Sequence, residues 1–124
     1  MLQDKFRAYI RERGLCTHEN RILLAVSGGV DSMVMLSLFV RGGYEVGVAH
    51  CNFQLRGAEA DEDDLLVERE ATRYGIPYYG VRFDTMAEVA ATGESVEMAA
   101  RRLRYEWFDK LCEERRYDRV AIAH

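Results

Sequence analysis

Lysine is nearly absent from this chain of 124 residues: only Lys5 and Lys110 carry it. Neither follows a glycine-rich turn, so the common phosphate loop, which needs a lysine after its last glycine, is excluded. Cysteine is equally sparse. Cys16, Cys51 and Cys112 are odd in number, far apart and without a C-x-x-C pair. That spacing argues against a zinc or iron–sulfur centre and fits free thiols in a reducing compartment. There is one proline and no low-complexity tract, which sets the chain apart from disordered segments. No apolar run approaches the roughly 18 residues of a membrane span, and the N-terminal residues lack the pattern of a signal peptide. The expectation is a cytoplasmic protein with no membrane partner. Positive charge is also lacking in bulk. The formal net charge is −4, so overall electrostatics do not advertise nucleic-acid binding. Arginine is clustered instead, as Arg101, Arg102 and Arg104 and as Arg115 with Arg116; most of these are expected on solvated helix faces.

What is present suits one α/β domain. Hydrophobic residues make up 48% of the chain, enough for a packed core. Leu2, Phe6, Tyr9 and Ile10 recur at helical spacing ahead of Gly14, the pattern of an amphipathic helix with a glycine stop. Strands are expected at about Arg21 to Val26, Tyr44 to His50, Tyr78 to Phe83 and Asp118 to Ala123. Between them fall helical segments: Met33 to Val40, apolar nearly all round and expected to be buried; about Glu59 to Tyr74; and Val96 to about Arg115, capped by Ser95. Asp84 to Gly93 reads as a short helix and a loop. Met98, Ala99, Leu103, Trp107, Phe108 and Leu111 form the apolar stripe of the last helix and are assigned to the core. Strands alternating with helices imply a doubly wound parallel sheet with helices on both faces. Ligands then sit at the carboxyl ends of the strands.

The most informative run lies at such an end. Ser27-Gly28-Gly29-Val30-Asp31-Ser32 joins an expected strand to an expected helix. Glycines let the backbone approach an anion, and the helix start adds free amides and a positive dipole end. Asp31 would repel phosphates unless a metal ion bridges them, which implies Mg²⁺. The run resembles the SGGxDS pyrophosphate loop (PP-loop) of the ATP pyrophosphatases, which split ATP between the α- and β-phosphates.

Three further segments carry a narrower resemblance. His50-Cys51-Asn52-Phe53-Gln54-Leu55-Arg56, with Glu59, Asp61 and Asp64 downstream, is similar to H-x-N-H-x-L-R. Ser95 to Tyr105 is similar to S-x-E-x-x-A-R-x-x-R-Y. Ala121-Ile122-Ala123-His124 is similar to the start of A-x-A-H-H-x-x-D-D. Together they resemble the bacterial tRNA(Ile)-lysidine synthetase family. Phe53 stands where that family usually has a second histidine. The chain stops at His124, directly after an expected strand. Residues 1–124 therefore read as the N-terminal part of the catalytic domain, with the remainder and the tRNA-binding domains absent.

The resemblance implies ATP and Mg²⁺ as cofactors, and tRNA(Ile) and free lysine as partners of the full-length enzyme; a homodimer is left open. It also implies the roles of the residues. Ser27, Gly28, Gly29, Val30, Asp31 and Ser32, with His50 and Asn52, would bind the nucleotide, Asp31 holding the metal. Arg56, Glu97, Arg101 and Arg104 would meet the substrates, and Asp31, Arg101 and Arg104 would act in catalysis. Each has a plainer reading. Glu97 and Arg101 are spaced for an i,i+4 ion pair. Asn52 suits a turn, Arg56 a solvated surface and His50 a structural strand end. The acidic run from Glu59 to Asp64 is assigned to the helix dipole rather than to metal binding. Two other readings of the loop stay open: a tRNA thiolase or amide-forming ligase built on the same motif, and a nucleotide-binding module without chemistry.

Overall fold

The apolar run Ile22-Leu23-Leu24 forms the middle of strand β1 (Arg21–Ala25), and all three side chains are fully buried. Such a run, without alternation, is what a strand covered on both faces requires. The computed structural model describes residues 19–123. The expected helix around Leu2 to Ile10, Cys16 and His124 lie outside them. The remaining elements are α1 (Val30–Arg41), β2 (Glu45–Asn52), α2 (Ala58–Tyr74), β3 (Tyr78–Arg82), α3 (Thr85–Thr92), α4 (Val96–Arg115) and β4 (Arg119–Ile122).

The sheet is parallel throughout, in the order β3-β2-β1-β4. Helices α1 and α2 cover one face. Their Met35, Leu36, Phe39, Val67 and Ala71 pack with Ile22, Leu24, Val46 and Val48. Helix α4 covers the other, where Phe108 and Leu111 pack with Leu23, Ala49 and Tyr117. The chain thus winds outward through β2 and β3, then crosses back under the sheet to β4. The reversal falls between β1 and β4, the switch point at which doubly wound sheets bind ligands.

Local chemistry explains most of the boundaries. Asp84 caps α3 by accepting from the Ala87 amide at 3.1 Å, and Ser95 caps α4 by accepting from Met98 at 3.1 Å. Helix α2 stops at Gly75 in the left-handed conformation, with Ile76 donating back to the Ala71 carbonyl. A Cβ on Gly47 of β2 would overlap the Tyr117 hydroxyl, so glycine lets that ring lie on the sheet.

Three expectations need correction. Helix α1 is not buried all round. It meets the sheet through Ser32, Met35, Leu36 and Phe39, while Val30 and Val34 are exposed along the groove it forms with α2. A helix on a sheet can bury only one stripe. Met98, assigned to the core of α4, is 60% exposed, because the packed stripe begins at Ala99. Strand β2 runs on to Asn52 rather than ending at His50, through its pairing with β3 at Cys51↔Val81 and Asn52↔Arg82. Its pairing with β1 stops at Ala49, so β2 stands above β1 at the carboxyl edge. Among the described residues, no helix is long and apolar enough to cross a membrane.

Candidate functional site

The step between β1 and β2 is filled by the glycine turn. Val26 adds one more ladder bond, donating to the Ala49 carbonyl at 3.0 Å; the chain then turns through Ser27, Gly28 and Gly29 into α1. Gly28 has φ +96°, and a Cβ there would stand 3.0 Å from the Asp63 carboxylate. Both conformation and close approach therefore demand glycine. The amides of Ser27 and Gly28 donate to Ser32 Oγ at 3.2 Å, and the Gly29 amide donates to Ser27 Oγ at 3.2 Å. Ser32 Oγ in turn donates to the Gly29 carbonyl at 2.9 Å. Consecutive amides thus converge on one small volume with two hydroxyls in it, a geometry suited to phosphate oxygens. Helix α1 starts from Gly29 with no side-chain cap, leaving its first amides and dipole end available there. Val30 points its side chain to solvent and offers the turn only its backbone. Asp31 sits exposed in the first turn of the helix.

The wall above this turn comes from β2 and α2. His50 and Asn52, two apart on the strand, are 3% and 2% exposed and face α2. His50 Nδ1 donates to the Val26 carbonyl at 2.7 Å, and Nε2 lies 2.7 Å from Asp64 Oδ1. The approach is close, but neither Nε2 nor Asp64 Oδ1 makes a well-aligned hydrogen bond. Asn52 donates to Asp61 at 3.1 Å and to Asp64 at 2.9 Å, and its Oδ1 accepts from the Gln54 amide at 2.8 Å. The turn-forming reading of Asn52 therefore describes its contacts, and Gln54 takes φ +56° beside it. The acidic run does more than complement a dipole: Asp61 and Asp64 bind the end of β2, and Asp63 abuts the glycine turn.

Two cavities open from this wall. One, of about 180 Å³, is lined by Ser27, His50, Asn52, Phe53, Arg56 and Asp63, so Arg56 stands at its edge. The other, of about 220 Å³, is lined by Phe53, Glu97, Ala100, Arg101 and Arg104. Phe53 lies between them and stacks on Phe83, ring centroids 5.6 Å apart. Glu97 makes no ion pair with Arg101 among the described residues, so both stay available. Arg101 and Arg104 lie over the Tyr105 ring at 5.4 and 5.2 Å, and Arg104 Nε is buried without a hydrogen-bond partner. Cys51, on the opposite face of β2 from His50, is half-buried. Desolvation pushes its thiol up from 9.0 to about 12 against the opposing pull of the Arg104 charge. It is no thiolate at neutral pH. Among the described residues, no group of His, Cys, Asp and Glu side chains could hold a metal ion unaided.

The sequence names Asp64 within a motif, Phe53 as a departure from it and Asp63 within the acidic run, but gives none of the three a place at the site. A signal for Asp64 existed. His50 and Asn52 share a strand face by their spacing of two, and Asp61 and Asp64 share a helix face by their spacing of three.

The PP-loop domain family matches this chain over residues 1–124. The chain belongs to that family. Among curated relatives, the PP-loop domain is similar to the tRNA(Ile)-lysidine synthase of Porphyromonas gingivalis strain W83. The two are 45% identical over 124 residues, 99% of this chain and 27% of the relative. It is also 40% identical to the tRNA(Ile)-lysidine synthase of Chlorobaculum tepidum, over 98% of this chain and 38% of that protein. The chain thus spans well under half the length of either relative. Among solved structures, the NH3-dependent NAD synthetase of Campylobacter jejuni superposes with a TM-score of 0.64 at 19% identity, covering 89% of this chain and 50% of that one. At that identity the likeness shows the doubly wound fold and nothing about substrate.

Proposed function

We propose that residues 1–124 are the N-terminal part of the catalytic domain of a tRNA(Ile)-lysidine synthetase, a ligase that consumes ATP. The observation that carries the reading is the convergence of the Ser27, Gly28 and Gly29 amides beside Ser32 at the uncapped start of α1. The names of the relatives narrow the chemistry. In the first step the C2 oxygen of the wobble cytidine attacks the α-phosphorus of ATP, the α–β bridging bond breaks and pyrophosphate leaves. In the second, the ε-amine of lysine attacks C2, loses a proton and displaces AMP. The reaction belongs in the cytoplasm, where ATP, lysine and tRNA meet.

The turn stabilises the leaving pyrophosphate through the backbone at Gly28, Gly29 and Val30 and the hydroxyls of Ser27 and Ser32. Each well-placed donor contributes about 3 kcal/mol to such a charged transition state. Mg²⁺, when bound, neutralises charge on the leaving group. One exposed carboxylate suits it, since Mg²⁺ is commonly held by one or two carboxylates, substrate phosphates and water, and Asp31 is that carboxylate. Arg101, Arg104 and Glu97 line the cavity that receives base, phosphate or lysine, where the unpartnered Arg104 Nε finds an acceptor. Arg56 borders the nucleotide cavity, and His50 and Asn52 shape it from within the protein. The high Cys51 thiol and the raised Cys112 thiol disfavour the thiolase reading among the described residues.

The test is incorporation of labelled lysine into bulk bacterial tRNA by the full-length protein with ATP and Mg²⁺. Label that depends on ATP and disappears in Asp31→Ala is the expected result. ATP split to AMP and pyrophosphate with no label in tRNA moves the protein to another adenylylating enzyme. The 124-residue chain alone is expected to show no lysine-dependent AMP formation.

A further inference from the structure

Helix α2 approaches the glycine turn in two ways, one direct and one through His50. The Asp63 carboxylate packs against Gly28. Asp64, on the next position, stands 2.7 Å from His50 Nε2, while the other nitrogen of that ring donates to the Val26 carbonyl at 2.7 Å. Val26 immediately precedes Ser27, the first residue of the turn. Its carbonyl has left the β1–β4 register, which ends at Ala25↔Ile122, so the imidazole supplies a partner where the ladder has stopped. The Asp64 side chain is 15% exposed, and its second oxygen accepts from Asn52 Nδ2 at 2.9 Å and from Arg82 Nε at 3.3 Å. Two donors thus fix one carboxylate, the carboxylate abuts one ring, and the ring holds the peptide from which the turn departs.

We propose that Asp64 is a positioning residue for ATP cleavage, acting through His50 to orient the Val26–Ser27 peptide and with it the amides that hold the leaving pyrophosphate. The inference rests on reading the turn as the pyrophosphate site. It assigns to α2 the alignment of donors that bind weakly when displaced by a fraction of an ångström, and so predicts a loss in rate at saturating ATP rather than a loss of fold.

The test measures tRNA-dependent ATP–pyrophosphate exchange by the full-length protein, with thermal midpoint and KM for ATP recorded for each variant. Asp64→Ala is expected to lower the exchange rate at saturating ATP by about a hundredfold, the scale of a misplaced catalytic donor, with a much smaller change in KM. Asp64→Asn restores most of that rate, because its amide can donate to Nε2 and keep Nδ1–H on the Val26 carbonyl. The pair His50→Gln and Asp64→Ala, combined, loses no more than the worse single variant, as expected for residues acting in series. Exchange by Asp64→Ala within about twofold of wild type, or additive losses in the double variant, overturns the proposal. A loss matched by a fall in thermal midpoint and not rescued by Asn overturns it too, leaving a structural role only. Asp31→Ala separates this from the parent reading. If Asp31→Ala abolishes exchange and Asp64→Ala does not, the relay alone fails; if Asp31→Ala leaves exchange intact, the turn is not the pyrophosphate site and both fail.

Discussion

The two sides of the candidate site are finished to different degrees. On the α2 side most groups beside the glycine turn are held by the protein: His50 Nδ1 by the Val26 carbonyl, Asn52 by three residues and the second Asp64 oxygen by Asn52 and Arg82. On the α4 side Glu97 stands without an ion pair and Arg104 Nε is buried without an acceptor. The difference separates two tasks. Donors that must meet an anion in one orientation profit from being locked in advance, since nothing then reorganises during the reaction. Groups that meet a larger and more varied partner must keep their hydrogen-bonding capacity unspent, and an arginine fork kept out of intramolecular pairs does so.

Substitutions can sharpen or break this contrast. The largest effect is expected beneath the open face, because α4 is unfinished only on its outer side. Phe108 is 2% exposed among Leu23, Ala49 and Leu111, and Phe108→Ala should cost about 3–5 kcal/mol in denaturant unfolding. A cost near zero would mean that α4 is loosely docked and the contrast an accident of poor packing. Next comes Gly28→Ala, which adds a Cβ at φ +96° against Asp63. ATP turnover by the full-length protein should fall about a hundredfold through displacement of the turn; near-normal turnover would show that the locked side tolerates misalignment. Arg104→Ala should behave the opposite way, leaving unfolding free energy within about 0.5 kcal/mol. Lysine transfer should nevertheless slow about tenfold, the worth of one hydrogen bond to a charged group. A stability loss without a rate effect would make Arg104 a packing residue.

The gentlest effect is one of pH. Burial raises the Cys51 thiol from 9.0 to about 12 and the Tyr78 phenol from 10.0 to about 12, and Tyr117 is raised as well. Above pH 9 the unfolded chain releases these protons while the folded chain keeps them. The unfolded state then binds fewer protons, and stability falls as pH rises from 9 towards 12. A thermal midpoint that is flat across that range would show that these groups are hydrated in the folded protein.

Much of the fold was legible because its signals are local. The run Ile22-Leu23-Leu24 announces a strand covered twice, Ser95 and Asp84 announce helix starts, and Gly75 and Gly93 take the left-handed conformation at helix ends. The turn itself was legible for the same reason, since Gly28 and the two serines make their contacts within six residues. What escaped was anything decided between elements. The contact of Asp64 with His50 spans a loop and nearly two helix turns, and the dipole gave the acidic run a sufficient local explanation. The exposure of Met98 and Val34 depends on how wide a stripe the sheet can cover. Phe53 was noticed only as a departure from a motif, and its place between two cavities comes from Phe83, thirty residues on.

Strand β2 outlasting its neighbour has a consequence of parity. His50 and Asn52 look toward the acidic helix, and Cys51 between them looks toward the arginines. Removing a single residue from β2 ahead of His50 would exchange these views, setting a thiol against the carboxylates and an imidazole against Arg104. Removing two would keep the views and lower the wall by about 7 Å. Natural variation in the height of this site should therefore come in even steps.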